Sequence, residues 1–341
     1  MRTPESHPNA SDSPGPAPEN WGLSRSLIAR SVLGGSLMGL ANLVPGISGG
    51  TMLVAAGVYG KFIDAISDLT RLRFRLPSLV LVGVIVASAL AAIGGLAWVI
   101  TIGLAEFRWG MYSLFIGLTL GGVPVMLRLV RPMTGGAWAG VVTGLVAMLA
   151  VIAVQTMQPQ GGAGSSNPLV LGFAGIAGAS AMILPGISGA YLLLLLGQYE
   201  KIIAAIKDFV HAATEADLQG ALAQVGVLLP VGIGVVVGVA LIGNILRFFL
   251  HRYEKPTLGV LLGLLIAAPA GLYPFKQGTP PALGETFDGQ IVTQELLDDL
   301  KPQDWPEALF TPTPAHLAGS LALIAAGVTV TMGVARLGGK D

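Results

Sequence analysis

Six long apolar stretches punctuate the chain, at 79–104, 109–127, 137–154, 223–246, 256–274 and 316–335. Each approaches the ~20 residues that a helix needs to cross a ~30 Å hydrocarbon layer. A soluble helix of that length would show polar positions on one face at a 3.6-residue period. These segments are apolar all round, so the pattern predicts membrane-spanning helices. A further apolar stretch is interrupted. Residues 27–41 make about 22 Å of helix, then comes NLVPGISGGT at 42–51, and a second apolar piece at 52–60 runs into Lys61 and Asp64. Pro45 removes a helix hydrogen bond, and the glycines admit non-helical backbone. The predicted element is a re-entrant helical hairpin over 27–66, entering and leaving on one side with its loop near the midplane. One long kinked helix over 27–60 is the alternative.

The interrupted element occurs twice. With Pro45 set over Pro185, an offset of 140, the windows 45–69 and 185–209 share 13 of 25 residues. The identities include Pro-Gly-Ile-Ser-Gly, Tyr59-x-Lys61 against Tyr199-x-Lys201, and Asp68 against Asp208. A weaker echo sets Gly117, Leu118 and Pro124 against Gly263, Leu264 and Pro269. The chain therefore divides into a tail at 1–24, a first repeat at 25–160 and a second at 161–341, whose hairpin covers 168–206 and whose outer loop covers 275–315. Each repeat is one hairpin plus three spans. An odd number of crossings per repeat makes the repeats inverted, a form common in secondary transporters. The expected fold class is an all-α polytopic membrane protein of two inverted repeats.

Charge placement orients this arrangement. With the N-terminus on the cytoplasmic side, 14 Lys and Arg fall on inner segments and five on outer ones, accounting for all 19. That asymmetry follows the positive-inside rule, with both termini cytoplasmic and the acidic 275–315 loop outside. Composition adds exclusions. Hydrophobic residues make up 53% and charged residues 11%, against about 25% charged in soluble domains. No cysteine is present, which removes disulfides, thiolate catalysis and Cys-ligated metals. Four histidines without a His-x-x-x-His spacing point to no metal site. The Pro-, Ser-, Asn- and Glu-rich tail reads as disordered and cytoplasmic, and no signal-peptide pattern precedes the first apolar segment.

The candidate chemistry sits in the two loops. A helix starting after each loop presents first-turn amides that lack intrahelical partners and carry the positive end of the dipole. Asn42, Pro45, Gly46, Ser48, Gly49, Gly50 and Thr51 form one candidate anion site, and Pro185, Gly186, Ser188, Gly189 and Tyr191 the other. Neutral donors suit a membrane interior, where a fixed cation is costly. Close helix packing by small residues is the competing account of each loop. Tyr59, Lys61, Tyr199 and Lys201 read as headgroup contacts or as interfacial anchors, the latter favoured. Asn42 has Met182 as its counterpart, so the two sites are not equivalent. Glu106 and Arg108 read as solvated loop charges, Arg247 as a snorkelling side chain, and Asp64 and Asp68 as partners of local arginines.

The run ANLVPGISGGTMLVAAGVYGKFIDAI, with ASAMILPGISGAYLLLLLGQYEKIIAAI as its second copy, resembles the bacterial and archaeal polyprenyl-phosphate transporters. It is more distantly similar to DedA proteins. The resemblance covers nearly the whole chain from about residue 25. It implies an inner-membrane carrier moving undecaprenyl phosphate, or a related lipid, from the outer to the inner leaflet for peptidoglycan and other envelope polymers. Ala190-Tyr191 departs from Gly50-Thr51 in the first copy. A coupling proton or cation is left open, and no cofactor or nucleic acid is expected. A transporter or channel for a small soluble anion would use the same loop chemistry and stands as the alternative. An enzyme is disfavoured, because His7, His211, His251 and His316 are all remote in sequence from Ser48 and Ser188.

Overall fold

The computed structural model describes residues 22–43, 48–157, 164–287, 290–300, 305 and 307–337. The first repeat runs α1 (Arg25–Asn42), α2 (Gly49–Ala55), α3 (Tyr59–Thr70), α4 (Leu76–Glu106), α5 (Arg108–Val130) and α6 (Gly135–Met157). The second runs α7 (Pro168–Ile183), α8 (Gly189–Leu195), α9 (Tyr199–Thr214), α10 (Leu218–Arg252) and α11 (Glu254–Ala267). It ends in a segment with α12 (Gln294–Asp299) and in α13 (Pro314–Leu337). Among the described residues, four short strands pair antiparallel between α11 and α13: β1 (Lys276–Gly278) with β4 (Glu307–Leu309), and β2 (Thr286–Phe287) with β3 (Gln290–Ile291). The protein is an all-α polytopic membrane protein: α4, α5, α6, α10 and α13 are long and apolar enough to cross a membrane.

The sixth expected span, 256–274, is shorter. Here α11 ends at Ala267 and tightens into a 3-10 turn at Ala268–Gly271. Pro269 explains the stop, since it has no N–H to donate and its ring blocks further α-helix. Fourteen helical residues give about 21 Å.

Local sequence sets the other breaks. Ser24 caps α1, its hydroxyl accepting from the Leu27 N–H at 3.0 Å. Asn167 caps α7 ahead of Pro168, and Asp217 caps α10 by accepting from the Gln219 and Gly220 amides. Gly57 and Gly197 adopt φ of +67° and +62°. Each closes its preceding short helix with a Schellman arrangement, Val58 N–H donating to Leu53 O and Gln198 N–H to Leu193 O. The matched pair of glycine stops divides the second arm of each expected hairpin into two helices, α2–α3 and α8–α9.

Corresponding helices pack alike. In the first repeat α1 lies on α4, and in the second α7 lies on α10. The last two helices cross over, with α5 against α13 and α6 against α11. The α6–α11 seam is reciprocal. A Cβ on Gly140 or Gly144 would stand 2.2 or 2.1 Å from the Pro256 or Val260 carbonyl oxygen, and one on Gly259 or Gly263 would stand 2.3 or 2.1 Å from that of Ala137 or Val141. Lipid supplies no hydrophobic drive between helices, so such small-residue contact is what holds them. Between α5 and α13 the Ser113 and Ser320 hydroxyls meet at 2.8 Å, and Thr331 donates to the Leu118 carbonyl at 3.0 Å. The helix junctions echo each other as well. Phe107 between α4 and α5 has φ −136° and ψ 44°, while Tyr253 between α10 and α11 has φ −134° and ψ 53°.

Candidate functional site

The two broken segments meet. Helix α7 ends at Ile183 and leaves its last carbonyls without intrahelical partners. The first repeat supplies partners for the Ile183 carbonyl and for that of Leu184, the residue just after the helix. Tyr59 donates its hydroxyl to the Ile183 carbonyl at 3.0 Å, and Ser48 donates to the Leu184 carbonyl at 2.9 Å. Thr51 accepts from the Gly186 N–H at 2.9 Å. Gly50 approaches the same turn so closely that a Cβ would stand 2.6 Å from the Ile183 oxygen. Gly186 has φ +88°, and a Cβ there would meet the Leu264 carbonyl oxygen at 2.7 Å, so only glycine fits both its backbone and its neighbour. In a medium without water an unmade backbone hydrogen bond costs several kcal/mol. Four first-repeat candidates or neighbours thereby have a protein partner in the second loop.

Other candidates gather around a cavity of about 240 Å³. Asn42 enters it from the first repeat, and Ser188, Gly189 and Tyr199 from the second, over apolar walls from α7 and from Val231 and Val235 of α10. Ser188 is buried in extended backbone at the start of α8. Gly189 is held by close packing, since a Cβ there would meet Met182 Cγ at 2.6 Å and the Gly178 oxygen at 2.7 Å. Its counterpart Gly49 faces Met38 and Asn42, and a Cβ would stand 3.0 Å from Asn42 Oδ1. Pro185 is buried within the turn. Pro45 and Gly46 lie outside the described residues, and Tyr191 is placed in α8 by its backbone alone.

The Tyr and Lys pairs separate. Tyr59 is 6% exposed, so its ring and hydroxyl belong to the inter-repeat contact and not to an interfacial belt. Tyr199 lines the cavity. Lys61 is half-buried on α3. Lys201 bonds the loop before α7, donating to the Gly164 carbonyl at 3.2 Å and to the Ser166 hydroxyl.

Four charged residues, Arg108, Arg247, Asp64 and Asp68, are placed differently from their expected settings. Arg108 is 8% exposed, and its Nε donates to the Leu104 carbonyl, so it is no solvated loop charge. Arg247 does not snorkel. Its Nε lies 3.1 Å from Asp64 Oδ1 and its Nη1 3.1 Å from Asp68 Oδ1. The carboxylates' chief partner is therefore remote in sequence, and local Arg75 stands 4.0 Å from Asp68. Ser78 donates to Asp68 at 3.0 Å, Asn244 accepts from Ser67 at 2.8 Å, and His251 Nε2 is 3.8 Å from Asp64. The signal for this cluster was an Asp pair at i,i+4 on α3 and an Arg just past the apolar stretch of α10, but sequence does not say which helices touch.

A protein family described as Undecaprenyl phosphate translocase-like matches residues 38–284. The chain is 30% identical over 252 residues to a protein of Staphylococcus aureus (strain NCTC 8325 / PS 47) named "Polyprenyl-phosphate transporter", covering 72% of this chain and 86% of the relative. A protein of Vibrio cholerae serotype O1 with the same name is 27% identical over 326 residues, covering 90% and 96%. No solved structure matches.

Proposed function

We propose, because this chain belongs to the Undecaprenyl phosphate translocase-like family, that it moves a polyprenyl phosphate of the undecaprenyl type across the cytoplasmic membrane. The direction is outer to inner leaflet, which returns the carrier lipid to envelope polymer synthesis. Two inverted repeats, each a re-entrant segment followed by spans, alternate access by rocking about the contact between their loops. The termini lie on the cytoplasmic side, and no bond is made or broken.

The observation that carries this reading is the cavity between the repeats. It joins Asn42 of one broken helix to Ser188, Gly189 and Tyr199 of the other. These groups suit a phosphate monoester in a low-dielectric setting. The Asn42 amide and the Ser188 and Tyr199 hydroxyls are neutral donors that leave no uncompensated charge when the ligand departs. The apolar α7 and α10 walls suit the first carbons of a lipid tail. In the first loop, Ser48, Thr51, Gly50 and Tyr59 hold the second loop in place, and so position the cavity without lining it. Phosphate is bound in turn by the two loops as the repeats exchange roles.

The test is transfer of a labelled long-chain polyprenyl phosphate across reconstituted vesicles, with inorganic phosphate as competitor. Asn42→Ala and Ser188→Ala each remove a donor to a charged group, worth about 1.5–3 kcal/mol, and should weaken binding roughly tenfold or more. Inserted variants that transfer lipid phosphate at the wild-type rate would sink the assignment of this cavity. Saturable transport of inorganic phosphate with no lipid transfer would favour a small-anion carrier.

A further inference from the structure

We infer that the isoprenoid chain of the lipid phosphate lies in the apolar groove between α10 and α11, on the same face of α10 as the polar cavity; this rests on the function proposed above. The groove encloses about 660 Å³. Leu246 and Leu261, nearly inaccessible, form its floor, and the half-exposed Ile245 and Phe249 form a wall on α10. A floor and wall of this kind make a concave channel, whereas a helix face that meets bulk lipid is convex.

Position identifies the occupant. Val231 and Val235 of α10 line the polar cavity, and Ile242, Leu246, Phe249 and Tyr253 line the groove. Steps of four, seven, four and three residues keep Val231, Val235, Ile242, Leu246 and Phe249 on one helix face, and Tyr253 follows as the cap of the helix. Cavity and groove are thus successive stations along one side of α10, about 20 Å apart between centres at 1.5 Å per residue. Leu184, whose carbonyl accepts from Ser48, also lines the groove, four residues before Ser188 in the cavity. The broken loop therefore touches both stations. At its far end the groove reaches Tyr253, over whose ring the Arg252 guanidinium sits at 5.3 Å. A path with neutral donors at one station, an apolar channel at the next and a cation at its mouth matches an anionic head on a long apolar chain. A free anion needs no such channel, and a phospholipid of the bilayer would gain nothing from its continuity with the cavity.

The test compares chain lengths. Purified protein in nanodiscs is titrated with an eleven-isoprene and a two-isoprene prenyl phosphate. Ile245→Trp and Val260→Trp fill the groove, and Val237→Trp on the opposite face of α10 serves as control. Both groove variants should weaken binding of the long chain at least fivefold and leave the short chain unchanged, with the control affecting neither. A prenyl phosphate bearing a diazirine midway along its tail should label peptides within 242–261. Equal losses for both lengths, no loss for either, or labelling confined to other helices would overturn the groove, as would its occupation by bilayer phospholipid or a second copy of the chain when the long chain is present. Wild-type protein that takes inorganic phosphate but no prenyl phosphate of either length would overturn the proposed function as well.

Discussion

Replacing Arg247 with alanine should destabilise the protein strongly. The guanidinium bridges Asp64 and Asp68 at 3.1 Å each and donates to the Ser67 hydroxyl at 3.1 Å. The Asp68 side chain is 5% exposed and that of Arg247 15%. Removing the cation leaves Asp68 with the Ser78 hydroxyl and with Arg75 at 4.0 Å, too far for a good hydrogen bond. Breaking a buried pair from one side costs about 3–5 kcal/mol, because a charge is stranded. A snorkelling arginine would contribute about 0–1 kcal/mol. At roughly 2–4 °C per kcal/mol, thermal unfolding in detergent should fall by about 6–20 °C. The triple variant Asp64→Asn, Asp68→Asn, Arg247→Met strands no charge and should recover most of that loss. A fall below about 2 °C for Arg247→Ala, or a triple variant no more stable than the single one, would refute the view that this cluster clamps α3 of one repeat onto α10 of the other.

The two tyrosines of the repeat can each be tested by removing the hydroxyl. Tyr59→Phe removes the donor to the Ile183 carbonyl and should lower the unfolding midpoint by the equivalent of about 1–3 kcal/mol. Tyr199→Phe should weaken lipid-phosphate binding, since Tyr199 lines the cavity; unchanged binding would contradict the assignment. Sidedness is readable with single cysteines, because the native chain has none. The exposed Leu72 and Tyr253 changed to Cys should react with an impermeant thiol reagent from the cytoplasmic side, and Leu218 and Leu283 from the outside. Labelling of Leu72→Cys and Leu218→Cys from one side would remove the inverted arrangement.

Much of this was legible from the chain because its cues are local. All-round apolar runs mark helices long enough to span, since a run with no polar face has nowhere to put one. The breaks at 42–51 and 184–188 follow from proline and glycine chemistry that acts within a few residues. The short α11 was missed because 256–274 is apolar throughout, and only Pro269 signals the early stop. The partners of the charged residues were missed for a different reason. Arg247 and Asp68 are 179 residues apart, and the pairing depends on α3 lying against α10. Hydropathy carries no information on which helices touch, because any apolar face can meet lipid or another helix at similar cost.

The loops expose a limit of reading function from a repeat. Both copies read Pro-Gly-Ile-Ser-Gly, so residue chemistry alone assigns Ser48 and Ser188 the same task. In the fold their settings differ: Ser48 closes on the Leu184 carbonyl, and Ser188 borders the cavity opposite Asn42. The departures between the copies fit that difference. Gly50 must be glycine because the Ile183 carbonyl lies against it, while its counterpart Ala190 lines the cavity and carries a side chain. Thr51 supplies an acceptor to the Gly186 amide at 2.9 Å, and the equivalent position 191 is a tyrosine. Where two copies of a motif face each other, a residue shared by both supplies a common chemistry. The residues that differ decide which copy packs tightly against its partner and which borders the cavity.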